Sequence, residues 1–322
     1  MTQRAFRGNR LIFPVVDTVG QTCLFSFDLA ANRMEQIATL QGSPGDLVAS
    51  NQYLVWTDNT YIPETSTCPT ESPALAPGTP SLPATSPCKK TLPQHRTEMH
   101  VYDLQTHREN NNYLLAGTSL DLDNDILVWQ SGGGIYGKNL SSGQPFTITV
   151  QDSSQPKVSG EWVAYVTSAS PEENLLAANL HLFNLQTGED RLLGKVSNQV
   201  NGGGYAIDGG TLAWIKVSFG AERPIHELHV YNLATGQDRR VDTNNDDYRA
   251  SLHLSDSLLV YLQKGWQAID LQHDRKFDLF TPSSGWDSLD TPALFGNRLI
   301  WTETDKLSGV VRLYTAPVNR GS

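Results

Sequence analysis

Leu180–Asp190 read LHLFNLQTGED, and Leu228–Asp238 read LHVYNLATGQD, 48 positions later. A near-copy at that distance points to a repeated structural unit, because each unit of a repeat fold solves the same packing problem. Each copy begins with alternating apolar residues, as a half-buried strand does. Each then turns at Asn-Leu-x-Thr-Gly.

Two signatures recur along the whole chain. The first is an apolar strand with a central aromatic: RLIFPV, YLVWTD, ILVWQS, WVAYVT, TLAWIK, LLVYLQ and RLIWTE. The aromatics are Phe13, Trp56, Trp129, Tyr165, Trp214, Tyr261 and Trp301, at spacings of 43, 73, 36, 49, 47 and 40. Setting the 73 aside, the mean is 43; the excess of about 30 falls between Trp56 and His100. The second signature is a strand ending in Asp or Asn, at Asp28, Asp103, Asn139, Asn184, Asn232 and Asp270. Leu follows, and often Gly four residues after the Asx. Asx side chains bond backbone two residues on, and Gly supplies a left-handed position, so these residues read as structural turn formers rather than catalytic carboxylates.

Each unit reads as four short strands, A to D, with hardly any helical stretch. The fold class is therefore all-β, a seven-bladed β-propeller of four-stranded antiparallel blades forming one domain over residues 1–322. A Pro-rich insertion occupies about 58–97 in blade 2. Blade 1 opens directly on strand A. Blade 7 shows A (TPALF), B (RLIWTE) and C (VRLYTA), which predicts a three-stranded last blade or a further segment supplied from outside this sequence.

The hairpin pattern resembles the TolB-like β-propeller repeat, from about Ala5 to Pro317. The SPDG turn common in those repeats is replaced by VSGEW, LSDSL and LFGNR. The chain is WD40-like in blade length but lacks the W-D and G-H punctuation. The resemblance implies a binding scaffold or sensor domain, extracytoplasmic in its relatives.

Net charge is −10 and the sequence pI about 5.2. With no Lys/Arg run longer than two, a phosphate backbone is not an expected partner. No apolar run approaches the ~18–20 residues of a membrane span. Cys68 and Cys88 bracket nineteen residues rich in Pro, Ser and Thr. A disulfide there would stabilise by ~3 kcal/mol through the unfolded state and would place the protein outside the reducing cytosol, at the periplasm, cell surface or beyond, with its leader removed or absent. Cys23, in TCLFSF, reads as a buried free thiol.

In a propeller the D-to-A and B-to-C connections share one face, the top, around the channel mouth. Long B-to-C connections in blades 2, 4 and 5 point to that face as the functional one. Its D-to-A loops offer Asp46, Asp152, Asn201, Asp246, Asp247, Tyr248, Arg249, Trp286, Asp287 and Asp290 as binding candidates, the aromatics as stacking platforms. Plain turn chemistry is the alternative for the same residues. DLDND at Asp121–Asp125 resembles the start of a calcium loop but lacks the later Gly and bidentate Glu, so a hairpin is the reading and Ca2+ the minor alternative. His100, His181 and His229 share a strand-C position, with Phe25, Tyr136, Gln267 and Arg312 there in other blades. Sheets about 10 Å apart keep these histidines from sharing one metal, so they read as packing or inter-blade bonding residues. No G-x-S-x-G is present.

The leading expectation is thus a non-catalytic interaction module, monomeric as a domain, presenting an acidic top face to a protein, peptide or glycan. The alternatives are a glycan-active hydrolase or lyase using top-face carboxylates, and a scaffold or sensor domain of a larger surface protein. No catalytic residue, metal or cofactor is assigned.

Overall fold

The computed structural model describes residues 5–7, 10–17, 19–62, 65–67, 89–91, 94–110, 118–169, 177–197, 204–219, 224–243, 252–255, 257–262, 265–280, 286–287, 293–295, 298–305 and 311–318. Among them the regular structure is all strand. Seven antiparallel blades follow one another along the chain. Blade 4 is representative, with strands Ser153–Ser159, Trp162–Ser168, Ala177–Asn184 and Asp190–Ser197 in spatial order. One backbone bridge, Val196 to Lys216, links the outer strand of blade 4 to strand B of blade 5.

Strand B of each blade is apolar on both faces because the next blade covers one side and the previous blade the other. Leu54, Val55 and Trp56 in blade 2 are all buried, as are Leu258, Leu259, Val260 and Tyr261 in blade 6. The core is therefore distributed as slabs between blades. Blades 4 and 5 meet through Leu180, Leu182 and Val196 against Tyr205, Leu212 and Trp214. Similar clusters lie at the other sequential junctions. The inner strands touch in cyclic order, and Ala5–Arg7 of blade 1 meets Ala293–Phe295 of blade 7, closing the ring.

Blade 7 is three-stranded among the described residues. Its strand A comes in two pieces, Trp286–Asp287 and Ala293–Phe295, both paired with Arg298–Asp305, which also pairs with Val311–Pro317. The insertion in blade 2 leaves the blade through a two-stranded ladder, Thr65–Thr67 against Lys89–Thr91. Cys68 and Cys88 lie outside the described residues.

All six Asx turns form as their chemistry predicts. Asn184 Oδ1 accepts the N–H groups of Gln186 and Thr187, both at 2.9 Å, and Asp103 Oδ1 those of Gln105 and Thr106 at 2.8 and 2.9 Å. Asp28, Asn139, Asn232 and Asp270 do likewise. Four residues after each Asx the backbone is left-handed, at Gly143, Gly188 and Gly236 but also at Asn32, His107 and Asp274. The turn demands that conformation even where the sequence does not provide glycine.

The strand-C histidines pack within their own blades, which corrects the expected inter-blade role. His100, His181 and His229 face Trp56, Tyr165 and Trp214 across the B–C ladder, ring centroids 5.0, 5.0 and 5.3 Å apart. Each Nδ1 meets a strand-D carboxylate: Glu109 at 2.5 Å, Asp190 at 3.2 Å and Asp238 at 2.9 Å. In blade 7 the equivalent residue is Tyr314, which stacks on Trp301, and not Arg312, which opposes Glu303.

Candidate functional site in the central channel

The inner strands share one register position. It lies opposite the residue that precedes the strand-B aromatic, and eight residues before that aromatic in every blade. Ala5, Val48, Asp121, Lys157, Ala206, His253 and Ala293 occupy it. Three of these are ionisable, so one side of the channel carries most of the chemistry.

The backbone there is irregular. Register shifts fall directly before Asp121 and Lys157, and in blade 2 before Leu47, the residue preceding Val48. Ser119 and Gln155, each two residues before the ring position, both have φ of 55°. A positive φ at a residue other than glycine is strained and tends to collect at functional sites. A cavity of about 370 Å³ opens at this point, lined by Ser119, Leu120, Asp121, Gln155, Pro156 and Lys157.

The polar contacts fix the walls. Asp121 Oδ2 accepts the Val158 N–H at 2.7 Å, across the blade 3–blade 4 boundary. Tyr205 of blade 5 donates its hydroxyl proton to the Gln155 carbonyl. The Lys157 ammonium lies 5.5 Å from the Tyr205 ring centroid, in cation–π geometry. Among the described residues no hydrogen-bond or ion-pair partner meets Lys157 Nζ, although it feels the Asp121 charge. His253 Nε2 is buried and likewise has no partner among them.

Burial dominates the electrostatics. It holds the Asp121 carboxyl above the usual carboxylate range, against the opposing pull of the Val158 N–H and Lys157. It holds Lys157 below the usual ammonium range, partly offset by Asp121. It raises the Tyr205 phenol, helped by Asp121. His253 is pushed down to about 3, by burial first and by the Lys157 charge second, so its ring is neutral at pH 7.

The expected top-face residues divide. Asp152 is exposed in the connection between blades 3 and 4. Asp46 is in strand A of blade 2, not in a loop, and its Oδ2 accepts the Leu120 N–H at 3.3 Å. It ties blade 2 to blade 3 as Asp121 ties 3 to 4. Trp286 and Asp287 are also strand, paired with Asp305 and Thr304. Asn201, Asp246, Asp247, Tyr248, Arg249 and Asp290 lie outside the described residues. The DLDND segment forms the strand A to strand B hairpin of blade 3, with Asn124 at φ 51°. Asp123 Oδ2 accepts the Gly160 N–H at 2.8 Å. Among the described residues no three His, Cys, Asp or Glu converge as a metal would require.

Two features were not anticipated from the sequence. On the face of the C–D turns, a cavity of about 540 Å³ lies between the hairpins of blades 4 and 5, with Trp162, Glu189, Arg191 and Thr235 among its walls. Arg191 forks onto Glu189 at 2.6 and 2.7 Å and lies over the Trp162 ring, so its charge is already matched. On the opposite, top face, seven of the nine exposed large apolar residues in the described set gather at strand ends. They are Val15, Val16 and Val19 in blade 1, Tyr61 in blade 2, Val150 after blade 3, and Phe219 and Ile225 in blade 5.

No protein-family model matches the chain, and no curated protein matches its sequence. Solved structures do match the fold. An oligogalacturonate lyase in complex with manganese is 14% identical over 97% of this chain and 86% of that one, with a TM-score of 0.62. An oligogalacturonate lyase from Vibrio parahaemolyticus is 14% identical over 99% and 89%, TM-score 0.61. An uncharacterized protein from Listeria monocytogenes is 11% identical over 98% and 93%, TM-score 0.53. At such identities the likeness shows the β-propeller fold alone.

Proposed function

We propose that this chain is a non-catalytic interaction propeller of the TolB-like repeat kind, and that a protein docks on its top face. The observation that supports this is the concentration of exposed Val, Tyr, Phe and Ile side chains at the top-face strand ends. Scattered single apolar residues are ordinary on a surface, but a bias to one face is what a docking surface requires. An extracytoplasmic setting accords with the cysteine-bracketed insertion. Among the described residues no helix is long and apolar enough to cross a membrane.

The test is site-specific photo-crosslinking in cells that naturally make the protein. A crosslinker at Phe219 should trap a discrete protein adduct, and one at Thr235 on the opposite face should not. Equal labelling from both positions, or none from Phe219, Val19 and Tyr61, removes the reading. The glycan-active alternative draws on a likeness of fold only, and no described residue favours it.

A further inference from the structure

Among the described residues the channel cluster is short of acceptors. Lys157 Nζ lies against the Tyr205 face and has no hydrogen-bond or ion-pair partner among the described residues, although it feels the Asp121 charge. Asp121, the nearest carboxylate in electrostatic terms, spends Oδ2 on the Val158 N–H. Ser119 and Gln155 hold strained backbone beside the same cavity, and both side chains carry donors. At the same level Ala5, Val48 and Ala206 are apolar, so among the described residues the charged or titratable groups of this layer are Asp121, Lys157, Tyr205 and His253.

We propose that the central channel is a binding site for a small oxyanion, a carboxylate or inorganic phosphate, held by the Lys157 ammonium with the Ser119 hydroxyl and the Gln155 amide as further donors. A cation set against low-dielectric walls gains more from a counter-ion than a solvated one does. The chain's net charge of −10 does not oppose this at close range, because fields are screened beyond about 8 Å at physiological salt. His253, whose Nε2 has no partner among the described residues, reports occupancy. An anion near Lys157 cancels part of the positive field that depresses His253, so the His253 titration moves up when the anion binds.

The experiment uses the full chain at constant ionic strength. Thermal unfolding and the His253 ring signals, assigned with the His253→Gln variant, are followed against acetate, inorganic phosphate and, as the neutral control, acetamide. A saturable rise in Tm with a coincident His253 shift is expected for one or both anions and not for acetamide. Lys157→Met should weaken the response at least tenfold, and Asp121→Asn, which removes a competing negative charge while keeping an acceptor for Val158, should tighten it severalfold. A response to acetate alone assigns a carboxylate; one to phosphate alone assigns a phosphate. No saturable response to either anion overturns the proposal, as does one that Lys157→Met leaves unchanged. Should Lys157→Met fail to fold, Asp121→Asn decides: binding that is equal or weaker overturns it.

Discussion

Asp121 and Val158 sit in adjacent blades, and the Asp121 carboxylate accepts the Val158 N–H at 2.7 Å. The same tie recurs around the ring, from Asp46 to Leu120, from Asp123 to Gly160 and from Ser159 to the Gly209 N–H. Polar side chains of the inner strands thus join blades whose other contacts are apolar slabs. Replacing Asp121 by Ala leaves a partly buried N–H without its acceptor, at a cost of about 1–3 kcal/mol. Asp121→Asn keeps an acceptor and should cost less. Urea denaturation compares them, and an Ala variant as stable as the parent would show that the tie contributes nothing.

The His253 ring gives a pH signature. Its folded-state value near 3 lies below the ordinary value of 6.5, so between these the unfolded chain binds a proton that the folded chain does not. Stability contributed by the neutral ring is therefore fully present above about pH 6.5 and falls as pH drops toward 3. The urea midpoint of the parent should fall more steeply over that window than that of His253→Gln. Parallel profiles would mean the ring is not shielded.

His107 occupies the left-handed position of the blade 2 C–D turn, at φ 53°, where blades 3, 4 and 5 have glycine. The left-handed conformation costs a residue with a Cβ about 1–2 kcal/mol, and glycine gives back part of that gain as unfolded-state entropy. His107→Gly should stabilise the protein by up to ~1 kcal/mol, read as a higher Tm. A loss would show that the 3.4 Å contact of His107 with the Tyr102 hydroxyl outweighs the strain.

Gly137 lies in strand C of blade 3, and a Cβ added there would run into the Phe146 ring and stand 2.9 Å from the Leu127 carbonyl oxygen. Gly137→Ala must displace the ring or the backbone, a change of about 1–3 kcal/mol. Double replacement with Phe146→Leu should recover part of that loss. If the double variant is no better than the sum of its parts, the clash is with backbone.

The ladder at the root of the insertion pairs Thr65 with Thr91, Ser66 with Lys90 and Thr67 with Lys89. Cys68 follows Thr67 in the chain and Cys88 precedes Lys89, so the two cysteines are the sequence neighbours of a paired couple, and a disulfide between them is the expectation. Protein purified without reductant should therefore be about 2 Da lighter by intact mass than the same protein after reduction. Free thiols at both positions in oxidising medium would dismiss the bridge.

Much of this was open to reading in one dimension. The strand-B aromatics and the Asx turns recur because every blade buries one strand between two neighbours and blades 1 to 6 each close one hairpin with the same backbone. Local chemistry repeated six or seven times announces itself, and so blade number, strand order and the structural role of Asn184 and Asn232 follow from spacing. Even the ring position was countable, since Asp121, Lys157 and His253 each stand eight residues before their aromatic. What made them look ordinary is that each is solitary within its own repeat. The sequence separates Asp121 from His253 by 132 positions, and only closure of the ring brings blades 3 to 6 around one channel. Their shifted pKa values belong to that closure too, because burial is a property of the assembled wall. The same holds for the bias of exposed apolar residues to one face. Composition and periodicity determine which strands form and where they turn; which side chains share a low-dielectric space is decided by how the seven blades meet.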